Sequence, residues 1–127
     1  MTVNAYKAVK RVSMVEGTTP HQLISLLYDG AFSQITMARQ HLASNNGQSL
    51  HNCVDKAVAI VQELQASLRD YQTDELAGNL FELYAYIVKT LIDSKNNLDD
   101  GGFSTCSELI DILRESWQAI SPEAVAA

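Results

Sequence analysis

Leu50, Val54, Ala57, Val61, Leu64, Leu68 and Tyr71 follow one another at intervals of 4, 3, 4, 3, 4 and 3 residues. A helix that buries one face keeps apolar side chains in line at this spacing, because it averages close to the helical period. A half-buried strand needs alternation instead, and no strand-like alternation appears along the chain. The stretch therefore constrains the fold strongly. It is a long amphipathic helix, and its apolar face needs other helices to cover it.

Three more segments supply them. The first opens at Thr19, a good N-cap, with Pro20 at the first helical position and Gln22 placed for a capping box. Its core stripe is Ile24, Tyr28, Ala31, Ile35, Ala38 and Leu42, and the turn residues Ser44 to Gly47 end it. After the long helix, "QTDE" is a break in which Asp74 caps a third helix centred on Leu76, Leu80, Leu83, Tyr84, Ile87 and Leu91. Gly101 and Gly102 read as its stop. The fourth helix uses Phe103, Cys106, Leu109, Leu113, Trp117 and Ile120, with Ser104 or Thr105 as its cap, and ends before Ser121-Pro122.

Short connections between amphipathic helices make sequence neighbours antiparallel. The expectation is an all-α protein: an antiparallel up-and-down four-helix bundle over 18–120, preceded by a short, mobile N-terminal helical segment over 1–17. Within that segment Tyr6, Val9 and Val12 share one side before Glu16-Gly17 breaks the pattern. The chain of 127 residues, 46% of them apolar, is long enough for one domain with a proper core.

Charge narrows the function. Residues 1–15 carry Lys7, Lys10 and Arg11 and no acid, while the net charge of the whole chain is −6. An acidic body is unsuited to a phosphate backbone, so nucleic acid is not expected as a partner. No apolar run spans a bilayer and the N-terminus lacks an uninterrupted apolar core for a signal peptide, so a cytoplasmic protein without membrane insertion is expected. Cys53 and Cys106 lack a CxxC pattern and further ligands at zinc spacing, and read as two reduced, largely buried thiols. No carboxylate stands three residues before a histidine, as a di-metal bundle requires, and no phosphate-binding glycine loop occurs. No cofactor and no catalysis are expected. "HNCVDK", from His51, is a weak echo of a histidine phosphotransfer bundle.

Two helices carry more apolar surface than one stripe needs. With Leu23 at the origin and about 100° per residue, the first core stripe spans about 40° to 140°, whereas Leu26, Met37 and Gly30 fall near 300° to 340°. On the third helix Phe81, Ala85, Val88 and Ile92 lie at about 120° to 180° from Leu76, beside a core centred near 50°. Each flank has a small residue in its middle, Gly30 or Ala85. Two readings stay open. The flanks are bundle core, since each helix of a bundle meets two neighbours, or they are grooves for amphipathic helices of a partner. They also permit self-association into a structural homodimer.

The blocks "YKAVKRV", "TTPHQLISLLYDGAF", "LAGNLFELYAYIVKTLI" and "LRESWQAI" occur in order and resemble the FliS-type flagellar secretion chaperones over about residues 5 to 120. The resemblance implies a cytoplasmic helical bundle that binds the disordered C-terminal region of flagellin. It implies that premature polymerisation is blocked, the subunit stays competent for type III export, and the loaded complex meets the export-gate membrane protein. It places Tyr6 in a segment that moves aside for the client, and makes Tyr28, Asp29, Leu80 and Tyr84 family-pattern positions. Tyr28 and Tyr84 fall in core stripes, so burial with the hydroxyl reaching a partner is their default. The candidate flagellin-binding set is thus Tyr6, Val9, Val12, Leu26, Tyr28, Asp29, Gly30, Met37, Leu80, Phe81, Tyr84, Ala85, Val88 and Ile92. The stretches "TDELAGN" and "DGGFSTCSE" depart from the family pattern at the corners flanking the third helix.

Overall fold

A computed structural model describes residues 19–120. Helix α1, Pro20–Ala43, starts at Thr19, whose side chain accepts from the Gln22 N–H while the Gln22 side chain accepts from the Thr19 N–H. That reciprocal pairing satisfies two donors that a bare helix end leaves free. Helix α2, Gly47–Ala66, is capped by Asn46, and α3, Glu75–Asn97, by Asp74, each accepting a backbone N–H from three residues ahead. Helix α4, Asp100–Gln118, completes the set.

The helices form a closed ring. Each packs on its sequence neighbour, and α4 returns against α1. Ion pairs and hydrogen bonds set the directions. Arg39 near the end of α1 holds Asp100 at the start of α4 at 2.8 Å, while His21 at the start of α1 meets Trp117 at the end of α4. Lys95, late in α3, lies 3.7 Å from Asp55, early in α2. Neighbours are therefore antiparallel, as expected, and the described residues make an up-and-down four-helix bundle. Its axis is filled by Leu27, Ala31, Ile35, Leu50, Val54, Val61, Leu64, Ile87, Leu91, Phe103 and Ile110, all buried. Both cysteines are free and buried. Burial pushes the Cys106 thiol up to about 12.

Several expectations need correction. Gly101 and Gly102 do not stop α3; they form the first turn of α4, and the cap is Asp99, not Ser104 or Thr105. Helix α3 ends instead at Leu98, whose φ of 52° is left-handed. Just two residues then separate α3 from α4, and the absence of a side chain at Gly102 is what lets the helices meet. A Cβ there would stand 1.8 Å from Ser94 Oγ and 3.0 Å from Thr90 Cγ2. Tyr71 is not on the α2 stripe, because α2 ends at Ala66; it is exposed and stacks on Phe81 with ring centroids 4.2 Å apart. Leu76 and Ile120 were expected in the core but are 68% and 41% exposed. Both sit at the same end of the bundle, where no further turn covers them. Residues 1–17, with Tyr6, Val9 and Val12, lie outside the described residues.

Candidate functional site

The line Phe81, Ala85, Val88 and Ile92 emerges on the side of α3 that faces α2. Ala85, Val88 and Ile92 border an open groove of about 360 Å³ whose other wall is Gln62 and Gln65. Gln65 Nε2 donates to the Phe81 carbonyl at 3.0 Å, tying the two helices together at the groove's upper end. Above it the Tyr71 ring covers Phe81. Lys89 and Asp93 pair at 3.0 Å along the outer rim. Ile92 is 37% exposed, so an isoleucine stands open to water beside small and half-buried apolar neighbours. Such a surface can receive aliphatic side chains between its apolar walls.

The corresponding line on α1 resolves differently. Leu26 is 41% exposed, but Met37 packs against the core. Gly30 faces α2, and a Cβ there would meet Ile60 Cδ1 at 3.2 Å. The room it leaves is filled by a side chain of the same bundle. Leu80 is half-buried against the core.

Tyr28 and Tyr84 are buried, and their hydroxyls hydrogen-bond to each other across the bundle's diagonal. Burial raises both phenols above their ordinary value. Asp29 lies 3.5 Å from Arg114, which also holds Asp111 at 2.6 Å and covers the Phe32 ring at 4.2 Å. That cluster links α1 to α4. A second link closes the bundle's end: the Trp117 indole N–H donates to the His21 carbonyl at 2.9 Å, while His21 Nε2 donates to the Trp117 carbonyl at 3.0 Å. The two rings stack, with centroids 4.9 Å apart.

His51, the residue behind the phosphotransfer alternative, is exposed in the second turn of α2. Among the described residues no group of three or more His, Cys, Asp or Glu is placed to hold a metal ion. No helix among them is long and apolar enough to cross a membrane. Tyr86, a tyrosine of the "LAGNLFELYAYIVKTLI" block that carries the family resemblance, is 51% exposed. Ile112, 60% exposed, was not singled out by any stripe or motif; the available signal was its position as a large apolar residue outside every stripe.

The class these features define is a small helical bundle held together by its own polar clasps, with apolar surface left open between helices. The chain matches the family model described as flagellar protein FliS over residues 2–124. It is 33% identical over 123 residues to the flagellar secretion chaperone FliS of Salmonella typhimurium, covering 96% of this chain and 91% of that protein. It is 28% identical over 116 residues to flagellar secretion chaperone FliSB of Pseudomonas aeruginosa, covering 91% of this chain and 92% of that one. The FliS chaperone of Bacillus subtilis is 28% identical over 121 residues, 94% and 89% of the two chains. The chain belongs to the FliS family of flagellar secretion chaperones.

Proposed function

We propose that this protein is a cytoplasmic export chaperone that holds the disordered C-terminal region of flagellin. Held there, the segment cannot polymerise prematurely and stays competent for type III secretion, and the loaded complex is handed to the export-gate membrane protein. The observation that carries this reading is the open Ala85–Val88–Ile92 groove on a bundle whose relatives are named as flagellar secretion chaperones.

The physics of the capture follows from the client's disorder. Ordering a free chain costs conformational entropy, and burying apolar side chains along a groove offsets it. A helix laid beside α3 places one apolar residue per turn against Ala85, Val88 and Ile92. Small Ala85 admits the close approach. Handover to a competing surface then releases the client, since weak, distributed contacts come apart stepwise.

Calorimetry with a flagellin C-terminal peptide tests the reading. The unmodified protein should bind, and Ile92→Asp should weaken binding by at least about tenfold, the loss expected when a buried aliphatic contact of about 1.5 kcal/mol or more is removed. Because Ile92 is exposed in the free protein, the variant should keep its helical circular dichroism. No heat at tens of micromolar peptide would sink the proposal.

A further inference from the structure

Large apolar side chains that stand well exposed are unevenly distributed over the described residues. Four of them, Leu76, Tyr86, Ile112 and Ile120, gather along the seam between α3 and α4. The facing edges of these helices are marked by Cys106 Sγ, which donates to the Ile87 carbonyl at 3.7 Å, and by Gly102 against Thr90 and Ser94. Tyr86 stands one turn from Thr90 on that edge, and Ile112 lies about 80° outward of Gly102. Counted from the turn at Leu98, the antiparallel pairing sets Tyr86 near the level of Ile112 and Leu76 level with Ile120. Half-buried Leu83, Leu109 and Leu113 lie beneath them.

The rim of this band is acidic. Glu82 stands one turn before Tyr86, and Glu108 and Glu115 stand one turn either side of Ile112; all three are exposed. The cations of α3 and α4 are already engaged: Lys89 with Asp93, Lys95 with Asp55, and Arg114 with Asp29 and Asp111. An apolar centre inside a negative border repels an acidic helix and attracts a basic one.

We infer that the α3/α4 band docks an amphipathic helix of a partner protein whose apolar stripe is flanked by lysine or arginine. The band and the Ala85–Val88–Ile92 groove occupy opposite flanks of α3, so both can be filled at once. The protein then joins a client on one side to a basic helix on the other. This inference does not depend on what fills the groove.

Fluorescence anisotropy with two labelled synthetic helices tests it, one with lysines and one with glutamates flanking the same leucine stripe. The lysine helix should bind, and more weakly as salt rises. Ile112→Asp should weaken it at least about tenfold, as for any buried aliphatic anchor. Glu108→Lys with Glu115→Lys should weaken it about threefold or more, the effect of exposed ion pairs. Ile92→Asp should leave it unchanged, and Tyr86→Asp repeats the test at a second exposed position. Equal binding of the glutamate helix, or no effect of Ile112→Asp and Tyr86→Asp, overturns the inference. So does an unmodified dimer that Ile112→Asp splits, which assigns the band to a second copy. So does displacement of the lysine helix by a flagellin C-terminal peptide whose own binding is lost with Ile112→Asp but not with Ile92→Asp, which assigns the band to the client.

Discussion

Gly102→Ala is the substitution on which the reading of the α3/α4 corner rests. In an ordinary helix it should be favourable, because alanine is preferred over glycine by up to about 1 kcal/mol. Here the added Cβ would stand 1.8 Å from Ser94 Oγ, 3.0 Å from Thr90 Cγ2 and 3.1 Å from Ser94 Cβ. The serine hydroxyl can rotate away, but its Cβ is fixed to the α3 backbone and the threonine methyl is held by a branched Cβ. The helices must part, and the two-residue connection through Leu98 and Asp99 leaves little slack. Overpacking of this kind costs up to about 3 kcal/mol, so after the gain in propensity a net loss of about 2 kcal/mol is expected. For a chain of this size that lowers the melting temperature by roughly 8 °C, at roughly 4 °C per kcal/mol. The neighbouring glycine is the control. A Cβ at Gly101 meets only Asp99 carboxylate atoms at 3.4 to 3.8 Å, so Gly101→Ala should be neutral or stabilising. Thermal melts by circular dichroism and urea titration of both variants give the comparison. Adding Ser94→Ala to Gly102→Ala should recover part of the loss, beyond what Ser94→Ala does alone. Gly102→Ala as stable as the unmodified protein, or a loss with no coupling to Ser94, would refute the argument.

Two further predictions concern buried groups. Tyr28→Phe or Tyr84→Phe alone leaves one hydroxyl buried without its partner and should cost about 1 to 3 kcal/mol in urea unfolding, whereas the double variant should lie close to the unmodified protein. Alkaline pH should unfold the protein steeply. The Tyr28, Tyr84 and Cys106 protons are held more tightly in the folded state than in the unfolded chain. Stability from these groups is therefore complete below the unfolded values, about 9 for the thiol and 10 for the phenols, and is lost as pH rises above them, by about 1.4 kcal/mol per pH unit for each group. Urea midpoints measured from pH 8 upward should fall along that course, and the Tyr28→Phe/Tyr84→Phe protein should fall less. A flat profile to pH 11 would refute the assignment.

Periodicity carried most of the fold because it reports direction around a helix. The stripes through Val54, Ala57 and Val61, and through Ile35 and Ala38, are buried where the spacing places them. Caps were legible for the same local reason: Thr19 with Gln22, and Asp74, need nothing beyond their own first turn. What periodicity lacks is height along the bundle. Leu76 points inward by angle yet stands in the first turn of its helix, past the level at which neighbours cover it, and Tyr71 and Ile120 lie beyond the ends of theirs. The glycine pair failed for a different reason. Gly101-Gly102 reads locally as a break, whereas Gly102 answers a demand set by Ser94 and Thr90 on another helix. Of the two apolar flanks, the sequence had no means of saying that Ile60 would fill the space at Gly30 while the space beside Ala85 would stay open.

The segment Tyr28-Asp29-Gly30 shows why a family motif and a binding surface need not coincide. Successive helical residues point about 100° apart, so three in a row divide the circumference nearly into thirds. In a ring of four, these three residues reach all the other helices: Tyr28 meets Tyr84 of α3, Asp29 meets Arg114 of α4, and Gly30 receives Ile60 of α2. One short stretch of α1 thus sets its rotation against every neighbour. A substitution there shifts the packing of the bundle, and with it the width of every seam. Loss of the proposed flagellin binding in such a variant would follow whether or not the residue touched the bound peptide. Ile92, exposed and remote from these clasps, changes the groove without changing the frame, and separates contact from architecture where the motif residues cannot.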